Sequence, residues 1–317
     1  MFKRFFHSLF TVVATLVLFS SCDYVDPPFK EDTGIETGGA CVFPIDTATP
    51  YRKVLLEDYT GHLCGNCPDA AEEIYNVLKP LYGDTLISIG VHSNPTNFTG
   101  ICPDDNSYPP QAPIGSYAND YRTPSGITWY DDFGFIGIPG GMVSRTSYGG
   151  NLVLSSSGWN PAIDSLAGTP AKAKLQILNN YNSSSGELNI CIKTTFLANT
   201  TGTYNLCALL TEDSIVSWQT DYDLPPTTVP YGRNVPDYVH RHVMRGALNT
   251  AYGEEIKSGS IAVGDTAVKS YKINLLSLPS AVNPVNPTLN IDHCHIVAFV
   301  FDANTKEILQ VEEEKVR

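Results

Sequence analysis

Apolar residues are spaced differently in the two halves of this chain. In the first half, apolar runs at residues 53–59 and 86–91 enclose the stretch 68–81, in which apolar residues recur at helical spacing. The apolar face of that helix is formed by Ala71, Ile74, Leu78 and Leu81. We predict a strand, a helix that ends at Gly83, and a second buried strand. This order of strand, helix and strand favours a parallel pairing of the two strands in an α/β domain.

After Gly168 the pattern changes to short runs in which apolar and polar residues alternate. Turns rich in Gly, Asn and Ser separate these runs, which lie at 174–178, 187–196, 204–210, 267–273 and 295–301. Alternation with a period of two is typical of half-buried strands. We therefore predict an α/β domain at 51–168, followed by an all-β, immunoglobulin-like sandwich at 169–317.

The first domain contains a long segment that has no regular apolar spacing. Residues 93–134 are rich in Pro, Asn, Asp and Gly and carry five Tyr and Trp side chains, Tyr108, Tyr117, Tyr121, Trp129 and Tyr130. Long ordered insertions often serve a function. The aromatic residues could form a platform for a peptide or glycan, or they could fill a small core.

The N-terminus has the features of an export signal. Lys3 and Arg4 precede an apolar run that is too short to span a bilayer, and Ser20, Ser21 and Cys22 follow it. This order resembles the lipobox of bacterial lipoproteins, which implies a signal peptide at 1–21 and a lipid-anchored Cys22. The alternative is an ordinary cleaved signal with an unmodified Cys22. Residues 22–50, rich in Pro, Gly, Asp and Thr, are predicted to be a flexible tether.

The net charge bears on the class of partner, and the number of cysteines bears on disulfide pairing. The chain has 20 Lys and Arg against 33 Asp and Glu, a net charge of −13. Without residues 1–21 the count is 18 against 33, or −15, which disfavours nucleic acid as a partner. Export implies an oxidising compartment. Apart from Cys22 there are seven cysteines, so at least one is free or pairs outside the chain.

The strongest chemical motif is the Cys-x-x-Cys pair Cys64 and Cys67. It lies between the first predicted strand and the predicted helix, where unpaired backbone N–H groups stabilise a thiolate. Cys64 is the predicted nucleophile, and Cys67 would resolve a mixed disulfide. Pro68 and Asp69 suit the first turn of a helix. The alternative is a structural disulfide without redox activity.

Two further segments of the first half resemble the thioredoxin family. Asp58 and Tyr59 stand six and five residues before Cys64, where thioredoxins place a buried aspartate and a phenylalanine. The Gly-Ile-Pro at residues 137–139 resembles the segment that leads into the family's cis-proline. The resemblance implies that Asp58 moves protons to the second cysteine and that Pro139 holds the backbone of Ile138 against the dithiol. Leu63 stands where the family usually has tryptophan.

Over the mature chain, four segments resemble a family of Bacteroidetes outer-membrane lipoproteins, the outer-membrane-protein-28-like proteins. They are the block Leu-Glu-Asp-Tyr-Thr-Gly-x-x-Cys-Gly-Asn-Cys-Pro at 56–68 and residues 139–145, 238–245 and 295–312. The resemblance implies a thioredoxin-like domain followed by a β-sandwich on the outer membrane. We expect a cell-envelope binding or interaction protein, adhesin-like or receptor-like, with a protein, peptide or glycan ligand. The alternative is a thiol-disulfide oxidoreductase that acts on exported proteins.

Two weaker patterns remain. His240 and His242, and His293 and His295, could form a metal pair or simply occupy exposed strands, and we assign no metal or cofactor. Cys191 and Cys207 flank a turn centred on Asn199, so they could pair across a hairpin or stay as buried thiols. The pairing of Cys41, Cys102 and Cys294 stays open.

Overall fold

The protein is mostly β-sheet with few helices. The structure, a computed structural model, describes residues 41–47, 50–93, 96–100, 109–275 and 288–317. The strands are β1 Val54–Thr60, β2 Leu86–His92, β3 Gly140–Val143, β4 Ala173–Asn182, β5 Glu187–Phe196, β6 Thr200–Glu212, β7 Ile215–Thr220, β8 Asn234–His240, β9 Val243–Ala247, β10 Glu254–Ile261, β11 Thr266–Asn274, β12 Cys294–Asp302 and β13 Ile308–Lys315. The helices are α1 Cys67–Glu72, α2 Lys79–Tyr82, α3 Thr96–Thr99, α4 Pro124–Asp132 and α5 Ser156–Asp164.

One large sheet of eight strands contains strands from both halves of the chain. Its main path runs in the order β13-β12-β6-β9-β2-β1-β3, and β10 also pairs with β6. As predicted, β1 and β2 are parallel, with Val54 opposite Leu86, whereas β3 runs antiparallel to β1. Strand β2 meets β9 through the single pair Gly90 and Val243. The short contact between β2 and β9 therefore joins the two parts of the sheet.

Strand β1 is buried on both faces. Val54 and Leu56 pack with α1, α2 and α5, whereas Leu55 and Tyr59 belong to a cluster that also contains Phe299 and other residues of the second half. A continuous apolar run is what a strand buried on both faces requires. The boundary predicted near residue 168 separates two sequence patterns, but it does not separate two apolar clusters. Independent folding of residues 169–317 stays a prediction.

The helix after the dithiol contains an irregular segment that the sequence pattern did not predict. Between α1 and α2, residues Glu73–Leu78 form a π-helix, which has more residues per turn than an α-helix. The buried side chains are consequently Ala70, Ile74 and Leu78, four residues apart. The predicted apolar face was wrong at Leu81, which is 61% exposed.

The second half forms two packed layers. The three-stranded sheet β11-β5-β4 packs on β6 and β12 through alternate residues, such as Ile190 of β5 and Leu210 of β6. The chain passes from one layer to the other between β5 and β6, so Cys191 and Cys207 do not face each other. The alternative in which these two cysteines pair is therefore wrong: Cys191 forms a disulfide with Cys41, whereas Cys207 is a buried free thiol, as the other alternative had it.

Part of the predicted tether lies on the second half of the chain. The Cys41–Cys191 disulfide ties it to β5, and Asp46 forms an ion pair with Lys174 of β4.

The predicted signal peptide, Cys22 and Cys102 lie outside the described residues. Within the described part of the chain, the helices are too short to cross a membrane as apolar spans.

The aromatic residues of the 93–134 segment fill a core. Tyr117, Tyr121, Trp129 and Tyr130 are all buried, and Tyr117 and Trp129 hydrogen-bond to groups beyond residue 200. The alternative of an exposed aromatic platform is therefore wrong for these four residues, because packing against the second half removes them from solvent. Tyr108 lies outside the described residues.

Candidate functional site: a covered dithiol

Cys64 and Cys67 lie where β1 leads into α1. They form a disulfide with Cα atoms 5.4 Å apart. The loop before them is tight, since Cys64 N–H donates to Gly61 O at 3.0 Å and Cys67 N–H donates to Cys64 O at 3.2 Å. Pro68 occupies the first turn of α1, where a missing N–H group is tolerated. The strand, the turn and proline thus place the two sulfur atoms at the start of a helix.

Asp58 lies in β1, directly behind this loop. Its side chain is 5% exposed, and its Oδ1 has no hydrogen-bond partner among the described residues. Burial raises the pKa of Asp58 to about 7 because a carboxylate loses its hydration there. A buried carboxyl group with an unsatisfied oxygen is costly, and its raised pKa makes Asp58 a candidate functional residue.

The segment around Pro139 lies beside the same loop. The Ile138–Pro139 peptide bond is cis, and the next residue, Gly140, pairs with Tyr59 of β1. A Cβ atom at Gly61 would lie 3.0 Å from Ile138 Cδ1. Ile138 therefore lies against the turn that precedes Cys64.

A segment from the second half of the chain covers the dithiol loop. Residues 219–222, called the cover segment below, follow the loop with two backbone hydrogen bonds of 2.8 Å, from Thr220 N–H to His62 O and from Tyr222 N–H to Gly65 O. The amide of Gln219 donates to Cys64 O at 2.9 Å. These contacts occupy carbonyl groups on both sides of Cys64.

The side chain of Tyr222 explains the glycine between the two cysteines. Its ring lies on Gly65, and a Cβ atom at that position would overlap the ring. Because Arg233 stacks on the same ring, with Cζ 4.9 Å from the centroid, Tyr222 is held in place. The cover segment therefore fits only a loop with glycine at position 65.

The 93–134 segment closes another side of the loop. Leu63 N–H donates to Phe98 O at 2.9 Å, and His62 Nε2 lies 2.9 Å from Gly100 O. As a result, Cys64 is 3% exposed and Cys67 is 2% exposed. A protein disulfide cannot reach either sulfur atom in this conformation.

Three histidines are buried beside the loop. His62, His92 and His240 are at most 5% exposed, and the ring of His92 lies 6.3 Å from that of His62 and 6.1 Å from that of His240. Burial lowers the pKa of His62 to about 4 and that of His240 to about 3, and it holds the pKa of His92 well below its usual value. At neutral pH these imidazoles are uncharged, so they supply no cation to stabilise a thiolate.

A cavity lies beside Cys67, and Gln219 of the cover segment is among its lining residues. Its volume is about 210 Å³, and it is open to solvent. Cys67, Asp58, Ser88 and His92 line it. Both ring nitrogens of His92, like Asp58 Oδ1, are buried without hydrogen-bond partners among the described residues. The cavity is thus lined by residues that carry a sulfur atom, a carboxyl group and an imidazole.

The structure brings together four of the residues singled out in the sequence. Cys64, Cys67, Asp58 and Pro139 meet at one edge of the sheet, whereas Cys22 lies outside the described residues. Sequence reasoning missed the cover segment. Its nearest signal, Gly65 inside the Cys-x-x-Cys motif, does not reveal what occupies the space of the missing side chain.

The histidine pairs are not arranged as predicted from alternation. His240 is buried against His92 and not exposed, while His242 stacks on His295 and contacts Asp213. In the ranges that the structure describes, no group of three or more His, Cys, Asp or Glu side chains is placed to hold a metal ion.

Comparison with known proteins gives one extensive match. The family described as "Outer membrane protein Omp28" matches residues 127–317, well over half of the chain. No curated protein matches the sequence. A crystal structure of a domain of the outer membrane lipoprotein Omp28 from Porphyromonas gingivalis is similar over 46% of this chain and 89% of that domain, with 22% identity and a TM-score of 0.29.

Two other solved structures are similar over a comparable length. A β-glucosidase from Kluyveromyces marxianus in complex with glucose is 11% identical over 46% of this chain and 14% of the enzyme, with a TM-score of 0.20. The DNA glycosylase AlkC of Pseudomonas fluorescens is 12% identical over 49% of this chain and 33% of that protein, also with a TM-score of 0.20. At such scores, these structural likenesses carry no argument about function.

Proposed function

We infer a function for this chain from the premise that it belongs to the outer membrane protein Omp28 family. Membership places the protein at the outer membrane. We propose that it is a cell-envelope interaction protein with a protein, peptide or glycan ligand, built on a thioredoxin-like scaffold. Its dithiol is closed to protein substrates, and acyl chains on Cys22 anchor it in the membrane.

The arrangement of the first strands supports a thioredoxin-like scaffold. Parallel β1 and β2, joined by a helix, and antiparallel β3 lie in the order β2-β1-β3. The dithiol opens the helix, the cis bond of Pro139 precedes β3, and Asp58 lies buried behind the loop. Together these features support the proposed thioredoxin-like scaffold.

The observation that carries the proposal is the cover segment on the dithiol loop. An extended substrate bound at a dithiol needs free backbone groups and space beside the sulfur atoms. Here the carbonyl groups of His62 and Gly65 accept hydrogen bonds from the chain itself, and the Tyr222 ring fills the space above Gly65. Such a scaffold serves as a stable support for interaction and not as an open exchange site.

Insulin reduction tests this proposal. We expect the full chain, purified in detergent, to reduce insulin no faster than its Cys64→Ser variant. Tyr222→Ala should raise the rate, because it removes the ring from Gly65, whereas Val216→Ala should not, since Val216 is 63% exposed on the same hairpin and away from the loop. Activity of the unmodified chain at the level of a dedicated oxidoreductase, abolished by Cys64→Ser, would overturn the proposal.

Membrane fractionation tests the anchor separately. Cys22→Ser should release the protein from membranes or stall its processing. Normal maturation and unchanged membrane association of this variant would contradict lipidation at Cys22.

A second candidate function is thiol-disulfide exchange. Asp58 and the cavity favour it, because a purely structural disulfide needs neither a buried carboxyl group with a raised pKa nor a cavity beside Cys67. The two candidates differ in which substrate can reach the sulfur atoms.

A further inference from the structure

The cavity beside Cys67 offers a route to the disulfide that the cover segment leaves open. We propose that a low-molecular-weight thiol carrying a carboxylate enters this cavity and exchanges with the disulfide at Cys67. The inference rests on the second candidate function, thiol-disulfide exchange, and is independent of the interaction role. It also differs from the order predicted from the sequence, in which Cys64 is the nucleophile that carries the mixed disulfide and Cys67 resolves it.

The walls of the cavity include residues from both halves of the chain. Cys67 and Ala71 belong to α1, Asp58 and Ser88 to β1 and β2, and Tyr238 to β8. Strand β8 therefore closes the side that an isolated α/β domain would leave open to solvent. The mouth lies between the helix and β8, where Asn76 and Val239 are exposed lining residues.

The polar side chains that line the cavity indicate a polar occupant. Asp58, Ser88 and His92 are among the lining residues. Polar groups of a ligand can hydrogen-bond with such a lining, whereas an apolar ligand would cover polar groups without replacing their hydrogen bonds to water.

Size and charge define the class of molecule. At about 210 Å³ the cavity is smaller than the roughly 300–1,000 Å³ of pockets for drug-sized ligands, so it suits a molecule of amino-acid size and excludes a protein segment. Arg241 and Glu72 both line the same cavity, and Arg241, whose guanidinium lies 5.2 Å from the centre of the Tyr75 ring, is the cation available to a ligand there. Because the Tyr75 ring positions the Arg241 guanidinium, this group can pair with the carboxylate of an entering thiol.

Reduction of the disulfide takes two successive exchanges at Cys67. Asp58 accepts the proton of the entering thiol, and the resulting thiolate attacks Cys67 Sγ. The Cys64–Cys67 bond breaks, a mixed disulfide forms on Cys67, and Cys64 leaves as a thiolate that takes up the proton. A second thiol then attacks the mixed disulfide, which releases the oxidised small disulfide and the Cys67 thiol. Two thiols are oxidised, and one protein disulfide is reduced. The raised pKa of Asp58 suits both taking and returning a proton near neutral pH.

The first measurement locates the mixed disulfide on the unaltered protein. The full chain in detergent is mixed with excess cysteine, quenched with acid at short times and mapped by mass spectrometry. We expect the adduct on Cys67. An adduct on Cys64 would overturn the cavity route while leaving exchange activity intact. Reduction that occurs only after unfolding would contradict exchange activity itself, and the cavity route with it.

The second measurement closes the cavity. Ala71→Phe places a ring in the cavity, whereas Val77→Phe changes an exposed position of the same helical stretch that does not line it. We expect the first variant to slow reduction by cysteine at least tenfold and the second to leave it unchanged. Equal rates in the two variants would contradict the proposal.

The third measurement tests recognition of the carboxylate. Arg241→Gln should slow reduction by cysteine about threefold, as expected for loss of a solvent-exposed ion pair. It should not slow reduction by cysteamine, which lacks the carboxylate. An equal effect on both thiols would refute the assignment of Arg241.

Discussion

Replacement of Asp58 by asparagine should change the pH dependence of stability in a defined direction. The pKa of Asp58 rises from 3.8 to about 7 on folding, because burial disfavours its charged form. Between these two values the folded state binds one more proton than the unfolded state, so unfolding becomes easier as the pH rises. The stability associated with protonated Asp58 is fully present below pH 3.8 and lost as the pH rises through 7.

The size of the effect follows from the shift. Each pH unit in this window corresponds to about 1.4 kcal/mol, so a shift of roughly three units lowers the free energy of unfolding by about 4 kcal/mol in total. About 3 kcal/mol of this loss falls between pH 5 and 8.5. Asparagine cannot ionise. The Asp58→Asn variant should therefore gain about 3 kcal/mol over the unmodified protein across this range.

Urea denaturation at several pH values between about 5 and 8.5, under oxidising conditions, measures this difference. The buried histidines also titrate on unfolding, but both proteins contain them, so they cancel in the comparison. Asp84→Asn serves as a control, because Asp84 is an exposed carboxyl group in the same half of the chain. If the Asp58→Asn and unmodified proteins give parallel stability curves, Asp58 is ionised in the folded state and the reasoning fails.

Three further predictions concern the scaffold. Arg145 and Glu57 form a fully buried ion pair with an N–O distance of 2.7 Å, so Arg145→Met leaves the Glu57 carboxylate buried without its partner and should lower the free energy of unfolding by about 3–5 kcal/mol. In urea denaturation, a Glu57→Met, Arg145→Met double variant should be more stable than this single variant. Leu78→Ala should cost about 2–5 kcal/mol and Leu81→Ala less than about 0.5 kcal/mol, and equal losses would contradict the π-helical register. Cys41→Ser should lower the free energy of unfolding by up to about 5 kcal/mol, since the lost disulfide spans 150 residues. Limited proteolysis should then cleave near residue 41, and an unchanged cleavage pattern would show that the disulfide does not hold this segment on β5.

Much of the site could be predicted because its parts lie in or beside local elements. Asp58, Cys64 and Cys67 belong to one strand, one turn and one helix start, and local apolar spacing predicts all three elements. Pro139 could be placed because a Gly-Ile-Pro before a strand resembles a known motif. The π-helical shift could not be predicted, since an extra residue in a turn leaves the composition of the helix unchanged.

The sequence by itself determined β1, β2, their parallel pairing and the position of the dithiol between β1 and a helix, because backbone hydrogen bonding and apolar periodicity act over a few residues. Only the tertiary structure decided what reaches the dithiol. Gln219 lies 155 residues from Cys64, and packing between the two halves brings it and Tyr222 onto the dithiol loop. The same packing buries the aromatic residues of the 93–134 segment and pairs Cys191 with Cys41. Such contacts depend on the shape of surfaces that form only after folding, so no local pattern encodes them.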